Sequence, residues 1–284
     1  MSVLKTACVQ ISAGLDDAAN LARLEAMIGE AVAGGARFVA LPEYCGCYGM
    51  AEGRLEVGAV AEAEHASLKA LRDRAAAHAI WLLIGSLGVR APDGRIANRS
   101  FLVNPEGAVA ARYDKIHLFD VDLAGGESYR ESADVAPGDR AVLADLDGTG
   151  LGLSICYDLR FARLYRSLAK AGASILSVPA AFTRKTGRAH WHVLLRARAI
   201  ETGSFVVAPA QCGDAPDGRL QRYGHSLIVA PWGEVLADAG PEEGVVMAEL
   251  DLARVIEARR MVPALRHDRP FTGPEAALSS LAAE

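Results

Sequence analysis

Short apolar blocks recur along the chain, separated by stretches in which apolar residues return every three or four positions. Residues 3–11 (Val-Leu-Lys-Thr-Ala-Cys-Val-Gln-Ile) read as a largely buried strand. Asp16 or Asp17 then caps a helix whose apolar residues are Leu21, Leu24, Met27, Ile28, Ala31 and Val32. Gly34-Gly35 stops that helix, and residues 37–41 form a second strand. Such a β-α-β unit implies parallel strands joined by a right-handed crossover. A helix over 60–78, with Leu68, Leu71 and Ala75 on one face, and a strand over 80–84 follow.

The texture then changes to a β-meander, punctuated by the turn sequences Pro92-Asp-Gly94 and Asn104-Pro-Glu-Gly107 and ending in residues 113–120. Residues 119–138 have loop composition and no apolar period, with Gly125-Gly126 and Pro137-Gly138 inside them. Loops of that length are uncommon in compact domains and often functional. Strands near 140–146 and 150–155 flank Asp147-Gly148; a helix over 160–171 ends at Gly172, and 174–178 is another strand. A loop over 180–188 opens a helix near 189–202, followed by strands at 205–208, 224–230, 234–238 and 245–250. A short helix over 251–260 and an extended tail close the chain.

Two β-α-β halves plus antiparallel hairpins predict an α/β fold in which two mixed sheets pack face to face with helices outside. Polar residues at strand C-termini then converge on one rim. The pattern contains no repeat and no linker, so a single domain over 1–270 with a tail over 271–284 is expected.

Composition narrows the function. A chain of 284 residues can bury a sizeable core, and its net charge of −5 gives no reason to expect nucleic acid or an anionic membrane as partner. Residues 1–11 alternate like a strand rather than a signal peptide, and no apolar run approaches the roughly 20 residues that span a bilayer. Five cysteines without repeating spacing argue against a disulfide framework and for a cytoplasmic protein. Neither a cofactor nor a metal is expected.

The chemistry centres on Cys156, where an apolar strand breaks into a polar turn and a helix. A thiol at such a bend faces outward beside a helix N-terminus, whose N–H groups lower thiolate pKa. The competing reading is that Cys156 is a small buried hydrophobe. Two more unusual residues end strands: Glu43, after Leu41-Pro42, and Lys115, at the end of the meander. Each alone reads as a solvated charge. Together, a carboxylate in a dry pocket is a base for the thiol, and an ammonium stabilises thiolate and oxyanion.

Leu41-Pro-Glu43-Tyr, Asp114-Lys115-Ile-His-Leu-Phe-Asp and Ser154-Ile-Cys156-Tyr-Asp-Leu-Arg160 resemble, in order and spacing, the three signature segments of the nitrilase superfamily, the carbon–nitrogen hydrolases. The resemblance runs to about residue 270. It implies a four-layer α-β-β-α sandwich that dimerises across a helical face. It also implies Glu43 as general base, Lys115 as oxyanion-stabilising cation, Cys156 as nucleophile and the Tyr157 backbone N–H as second oxyanion donor. Glu131, in Tyr129-Arg-Glu-Ser132, matches the family's second glutamate and would orient Lys115. Cys156 would attack an amide carbonyl, ammonia would leave after protonation through Glu43, and water activated by Glu43 would release the acid.

Within the superfamily, Ala189-His-Trp191, residues 196–202, Ala210-Gln-Cys-Gly213, Tyr223-Gly-His-Ser226 and Pro231-Trp-Gly233 look most like amidases acting on deaminated glutathione. Residues 115–122 and Arg130-Glu-Ser132 fit equally well the ω-amidases acting on α-ketoglutaramate and α-ketosuccinamate. N-carbamoyl amidohydrolase and nitrilase are further alternatives. Both leading substrates carry carboxylates, for which Arg184, Lys185 and Arg188 are the candidate partners; a solvated basic loop explains them equally well. The partners implied are a small-molecule amide and a second copy of the chain.

Other residues are weaker candidates. Cys45-Gly-Cys47 lacks the paired Cys/His segment of a zinc site, and His190 and His192, two apart on a helix, diverge. Cys8 reads as core and Cys212 as packing near the pocket rim. A Cys-His-Asp hydrolase using His190 or His225 is the rival enzyme; a non-catalytic redox sensor or binding subunit is the third reading.

Overall fold

The computed structural model describes residues 3–51, 54–91, 93–123, 126–214 and 221–273; Pro92, Gly125 and tail residues 274–284 lie outside the described residues. The chain opens with β1 (Val3–Gln10), α1 (Asp17–Ala33) and β2 (Phe38–Ala40). A small hairpin, β3 (Gly49–Ala51) and β4 (Arg54–Glu56), precedes α2 (Ala66–His78) and β5 (Trp81–Arg90). The meander comprises β6 (Ile96–Val103) and β7 (Val109–Asp114). A second hairpin, β8 (Asp120–Leu123) and β9 (Glu127–Arg130), leads to β10 (Val135–Ala136).

The second half repeats the plan. β11 (Val142–Leu146) and β12 (Thr149–Leu153) lead through α3 (Ala162–Ala171) to β13 (Ala173–Ser177), then through α4 (Arg184–Thr202) to β14 (Phe205–Ala208). β15 (Leu227–Val229), β16 (Val235–Asp238), β17 (Gly244–Asp251) and α5 (Ala253–Met261) follow. One sheet runs β10-β6-β5-β2-β1-β17, with β7 also on β6; the other runs β11-β12-β13-β14-β15-β16. Strands β1, β2 and β5 are parallel in the first, and β12, β13 and β14 in the second. The flanking pairs are antiparallel, so both sheets are mixed.

Side-chain alternation sets the layers. Leu4 and Cys8 of β1, Phe38 and Ala40 of β2, and Trp81 and Leu83 of β5 share one core with Leu151, Leu153 and Ile175 of the other sheet. Their neighbours Ala7, Val9, Val39, Leu82 and Ile84 face the opposite way, onto Leu24 and Ile28 of α1 and Leu68 and Leu71 of α2. A strand buried on both faces loses its polar alternation, which is why β1, β2 and β5 read as apolar runs. Asp16 is the α1 cap, its carboxylate accepting from Ala19 N–H at 3.0 Å. Asp17 instead accepts from Ser67 Oγ at 2.6 Å and ties α1 to α2.

Two expectations are corrected. Residues 119–138 are not a structureless loop: they hold the β8–β9 hairpin and β10. Val121, Leu123 and Tyr129 of that hairpin are half-buried beside exposed neighbours but join neither core cluster, so the period is short and weak; a cross-strand ion pair, Arg130 with Asp122 at 2.8 Å, braces it. The helix expected near 189–202 begins at Arg184, because Thr183 caps it through Thr186 N–H. Gly187 obscures this first turn in the sequence. A Cβ there would lie 2.3 Å from the Tyr223 ring, so glycine is required by packing against its own helical propensity.

Candidate active site

Glu43, Lys115, Glu131 and Cys156 are carried on four different segments and line one cavity of about 460 Å³. Glu43 follows β2 on a bend pressed against β5. A Cβ on Gly85 of β5 would stand 2.0 Å from the Leu41 carbonyl oxygen, so only glycine allows this approach. Ser86 Oγ accepts the Tyr44 N–H at 2.9 Å, and Gln211 Nε2 donates to the Glu43 carbonyl at 2.9 Å. The bend costs a positive φ of 51° at Tyr44, a region rare for a bulky side chain.

Lys115 lies just past β7 and is 2% exposed. Its Nζ donates to Glu43 Oε1 at 2.9 Å and to both Glu131 oxygens at 2.9 and 3.0 Å. Burial works against its charge, but the Glu131 and Glu43 carboxylates outweigh burial and hold the ammonium well above its ordinary value. The remaining carboxylate valences are filled. Glu43 Oε2 accepts from Ala181 N–H at 2.9 Å, and Glu131 Oε2 from Phe119 N–H at 2.7 Å.

Cys156 has φ +48° and is 7% exposed, its N–H bonded to the Pro179 carbonyl at 2.9 Å. The expectation of a lowered thiol pKa is corrected: the thiol is pushed well above its ordinary value, first by burial and then by the charge of Glu43, against the pull of Lys115. The element after Cys156 is only a 3-10 turn, Cys156–Arg160, and α3 begins at Ala162. A short turn supplies too small a dipole to overcome burial beside a carboxylate. The thiol therefore keeps its proton next to Glu43, and a nucleophilic role for it would require transfer of that proton.

Two positioning residues escape sequence reasoning. Asn98 of β6 donates to Glu43 Oε1 at 2.8 Å and to Glu131 Oε1 at 3.3 Å, bridging the carboxylates behind Lys115. Asp158 is fully buried; its Oδ2 accepts the Tyr113 hydroxyl at 2.6 Å and Ile155 N–H at 2.8 Å. Its Oδ1 accepts His117 N–H at 3.1 Å and faces His117 Nδ1 at 2.7 Å. Asp158 thus clamps the segment two residues on either side of Lys115 to the bend carrying Cys156. An asparagine inside an apolar strand and an aspartate beside the thiol were the available signals.

Six aromatic side chains among the described residues line the cavity: Tyr44, Tyr48, Phe119, Tyr129, Tyr157 and Phe182. The Tyr44 hydroxyl is buried there with no hydrogen-bond partner. Thr183, Thr186, Arg54 and Arg130 also line the cavity, both arginines with largely exposed side chains. Arg184, Lys185 and Arg188 are not among the lining residues, and Arg184 pairs with Asp214. No histidine lines the cavity among the described residues. His190 meets Arg160 at 3.2 Å and His225 meets Asp238 at 2.9 Å, so neither candidate histidine is brought to Cys156. Cys45 and Cys47 are free, buried thiols whose sulfurs meet different carbonyls, of Ser86 and Leu15. Cys8 is core and Cys212 is buried.

Residues 5–260 match the family described as Carbon-nitrogen hydrolase. The chain is 42% identical over 253 residues to the deaminated glutathione amidase of Synechocystis sp., covering 87% of this chain and 92% of that protein. It is 35% identical over 270 residues to the omega-amidase NIT2 of Homo sapiens, covering 95% and 96%. The crystal structure of Saccharomyces cerevisiae Nit3, a member of branch 10 of the nitrilase superfamily, superposes with a TM-score of 0.81 at 29% identity, covering 92% of this chain and 95% of that one.

Proposed function

The chain belongs to the carbon–nitrogen hydrolase family and hydrolyses amides, and from that premise we propose that it cleaves deaminated glutathione through a thioester on Cys156. The observation that carries the reading is the position of Lys115 Nζ, within 3.0 Å of both carboxylates, in a cavity shared with a thiol on a positive-φ bend.

In this mechanism Glu43 takes the Cys156 proton as sulfur attacks the amide carbonyl carbon. Lys115 and the Tyr157 N–H stabilise the oxyanion. Glu43 returns the proton to the amide nitrogen, the C–N bond breaks and the amine leaves. Water then enters, Glu43 removes its proton, and the hydroxyl attacks the thioester; the C–S bond breaks, and the sulfur recovers a proton from Glu43. Glu131 carries no proton in this scheme. It fixes Lys115 and keeps the ammonium charged.

Deaminated glutathione and α-ketoglutaramate deliver the same ketoglutaryl group to the thiol and differ only in the departing amine, a cysteinylglycine dipeptide or ammonia. Discrimination therefore turns on how the cavity receives the departing amine; Arg54 and Arg130, which line it in ion pairs with Asp134 and Asp122, are the arginines proposed to meet the dipeptide carboxylate. The experiment is a substrate panel following keto acid and free amine together, with α-ketosuccinamate, an N-carbamoyl amino acid and a nitrile included. A higher kcat/KM for deaminated glutathione than for α-ketoglutaramate is expected. The opposite ranking makes the chain an ω-amidase, and preference for the nitrile overturns the amide reading.

Five free cysteines fit a reducing cytoplasm, and among the described residues no helix is long and apolar enough to cross a membrane. Ile200, Trp232 and Val262 line one groove and are exposed, as are Val193 and Ile256. This apolar face supports a homodimer through α4 and α5.

A further inference from the structure

His192 on α4, His225 just before β15 and Asp238 at the end of β16 come from three separate parts of the chain and converge outside the cavity. Their ligand-capable atoms all lie within 4.8 Å of one another. His192 Nε2 lies 3.0 Å from Asp238 Oδ2, and His225 Nδ1 lies 2.9 Å from Oδ1 and 3.2 Å from Oδ2. Gly240 N–H also donates to Oδ1, at 2.9 Å.

The site is also held in place. His225 sits at φ +56°, a conformation that a side-chain-bearing residue keeps only when its surroundings impose it. Its ring stacks on Tyr223 with centroids 4.4 Å apart, and its carbonyl accepts the Trp191 indole N–H at 2.7 Å. The three side chains are 24–34% exposed, which leaves an entry path and room for water.

We propose that His192, His225 and Asp238 bind a borderline divalent transition-metal ion, with Zn²⁺ the best fit. Two imidazole nitrogens and one carboxylate oxygen suit zinc, cobalt, nickel or copper rather than magnesium or calcium. Around a tetrahedral ion with bonds of roughly 2.0–2.1 Å, ligand atoms stand about 3.3 Å apart. The nitrogen–oxygen separations of 3.0 and 3.2 Å are already close to that. Each imidazole uses the nitrogen now facing Asp238, and its proton moves to the other ring nitrogen by exchange with solvent. The ion takes no part in the thioester chemistry: none of the three residues lines the cavity. Sequence spacing directs attention to His190 as the partner of His192; the fold supplies His225 instead.

The test is a Zn²⁺ titration of the full chain in a Cys156→Ser background, which removes the reactive thiol, in competition with a chromophoric chelator. Bound metal is counted by mass spectrometry and Tm followed in parallel. One ion per chain with a rise in Tm is expected. Since even outer partners of metal ligands are worth about 10–100-fold in affinity, His192→Gln and Asp238→Asn should each weaken binding by at least about tenfold. Circular dichroism and the metal-free Tm identify a variant that has lost its fold, and the other variant then decides. The proposal is overturned if uptake is not saturable, if neither variant changes it, or if Mg²⁺ competes at equal concentration.

Discussion

Asp158 Oδ2 accepts the Tyr113 hydroxyl at 2.6 Å, linking the bend that presents Cys156 to the strand end that presents Lys115. Tyr113 is itself 1% exposed, so neither partner has water to fall back on. Asp158→Ala orphans the Tyr113 hydroxyl together with the N–H groups of Ile155 and His117. At about 1–3 kcal/mol for each of the two fully buried groups left unpaired, on Tyr113 and Ile155, a loss of roughly 2–6 kcal/mol in unfolding free energy is expected, with kcat falling far more than KM rises. Tyr113→Phe should cost less, and the double variant should fall short of the sum. Denaturant unfolding and steady-state kinetics measure both; strict additivity would deny the coupling.

Lys115→Met leaves Glu43 and Glu131 facing each other without their shared cation. Breaking a buried ion pair by removing one partner typically costs about 3–5 kcal/mol. Turnover should fall by at least about 10²–10³, the usual penalty for deleting an oxyanion-stabilising group. Denaturant unfolding and steady-state kinetics of Lys115→Met measure both losses.

The unpartnered Tyr44 hydroxyl separates stability from binding. Tyr44→Phe removes a buried polar atom that bonds to nothing in the free protein, so Tm should stay level or rise. If that hydroxyl meets substrate, KM rises by roughly five- to tenfold, the equivalent of one hydrogen bond worth about 1–1.4 kcal/mol. A fall in Tm with unchanged KM would remove the hydroxyl from the substrate site.

Basic residues inside and outside the cavity make a direct comparison. Arg54 lines the cavity with a side chain 78% exposed and pairs with Asp134 at 2.6 Å. Arg188 is exposed and does not line it. Arg54→Ala is expected to raise KM for carboxylate-bearing amides by a few-fold, the scale of an exposed ion pair worth up to about 1 kcal/mol. Arg188→Ala should leave kinetics unchanged. An uncharged amide of similar size should not distinguish Arg54→Ala from the parent.

Buried thiols predict an alkaline limit. Burial pushes Cys45 and Cys212 up to about 12 and Cys47 up to about 11 from an ordinary 9.0, and Cys156 also rises. Below pH 9 both folded and unfolded chains keep these protons, so no stability is lost. Above it the unfolded chain loses them first and binds fewer protons, so unfolding free energy falls as pH rises towards 11–12. Each thiol contributes at most about 1.4 kcal/mol per pH unit. Urea unfolding at pH 8, 9 and 10 checks this, and Cys45→Ala should flatten the slope.

The strands, the helices and three of the four cavity groups were legible in the chain because their signals are local. Apolar runs mark strands buried on both faces, and Glu43 and Cys156 each follow such a run, whereas Lys115 stands out as a charge closing the half-exposed strand β7. Glu131 was reached only through family resemblance, since the β8–β9 hairpin before it is short and only half-buried on one face, too little to set a clear period. Asn98 and Asp158 were passed over for another reason: a polar residue in a strand or turn carries no mark of which distant atom it will bond.

What the amino-acid order determined alone is the layered architecture and the chemical inventory of the site. Side-chain period and hydrophobic burial act within a few residues and survive without knowledge of the fold. What only the tertiary structure decided is distance and desolvation. It brought Lys115 to two carboxylates, and it raised the Cys156 thiol that local sequence suggested would be lowered. It left Arg184 and Arg188 outside the cavity while admitting Arg54 and Arg130. It also joined His192, through Asp238, to a histidine 33 positions away rather than to His190, two positions away. Those outcomes depend on Coulomb energies and dielectric environment, which are properties of assembled atoms and not of neighbours along the chain.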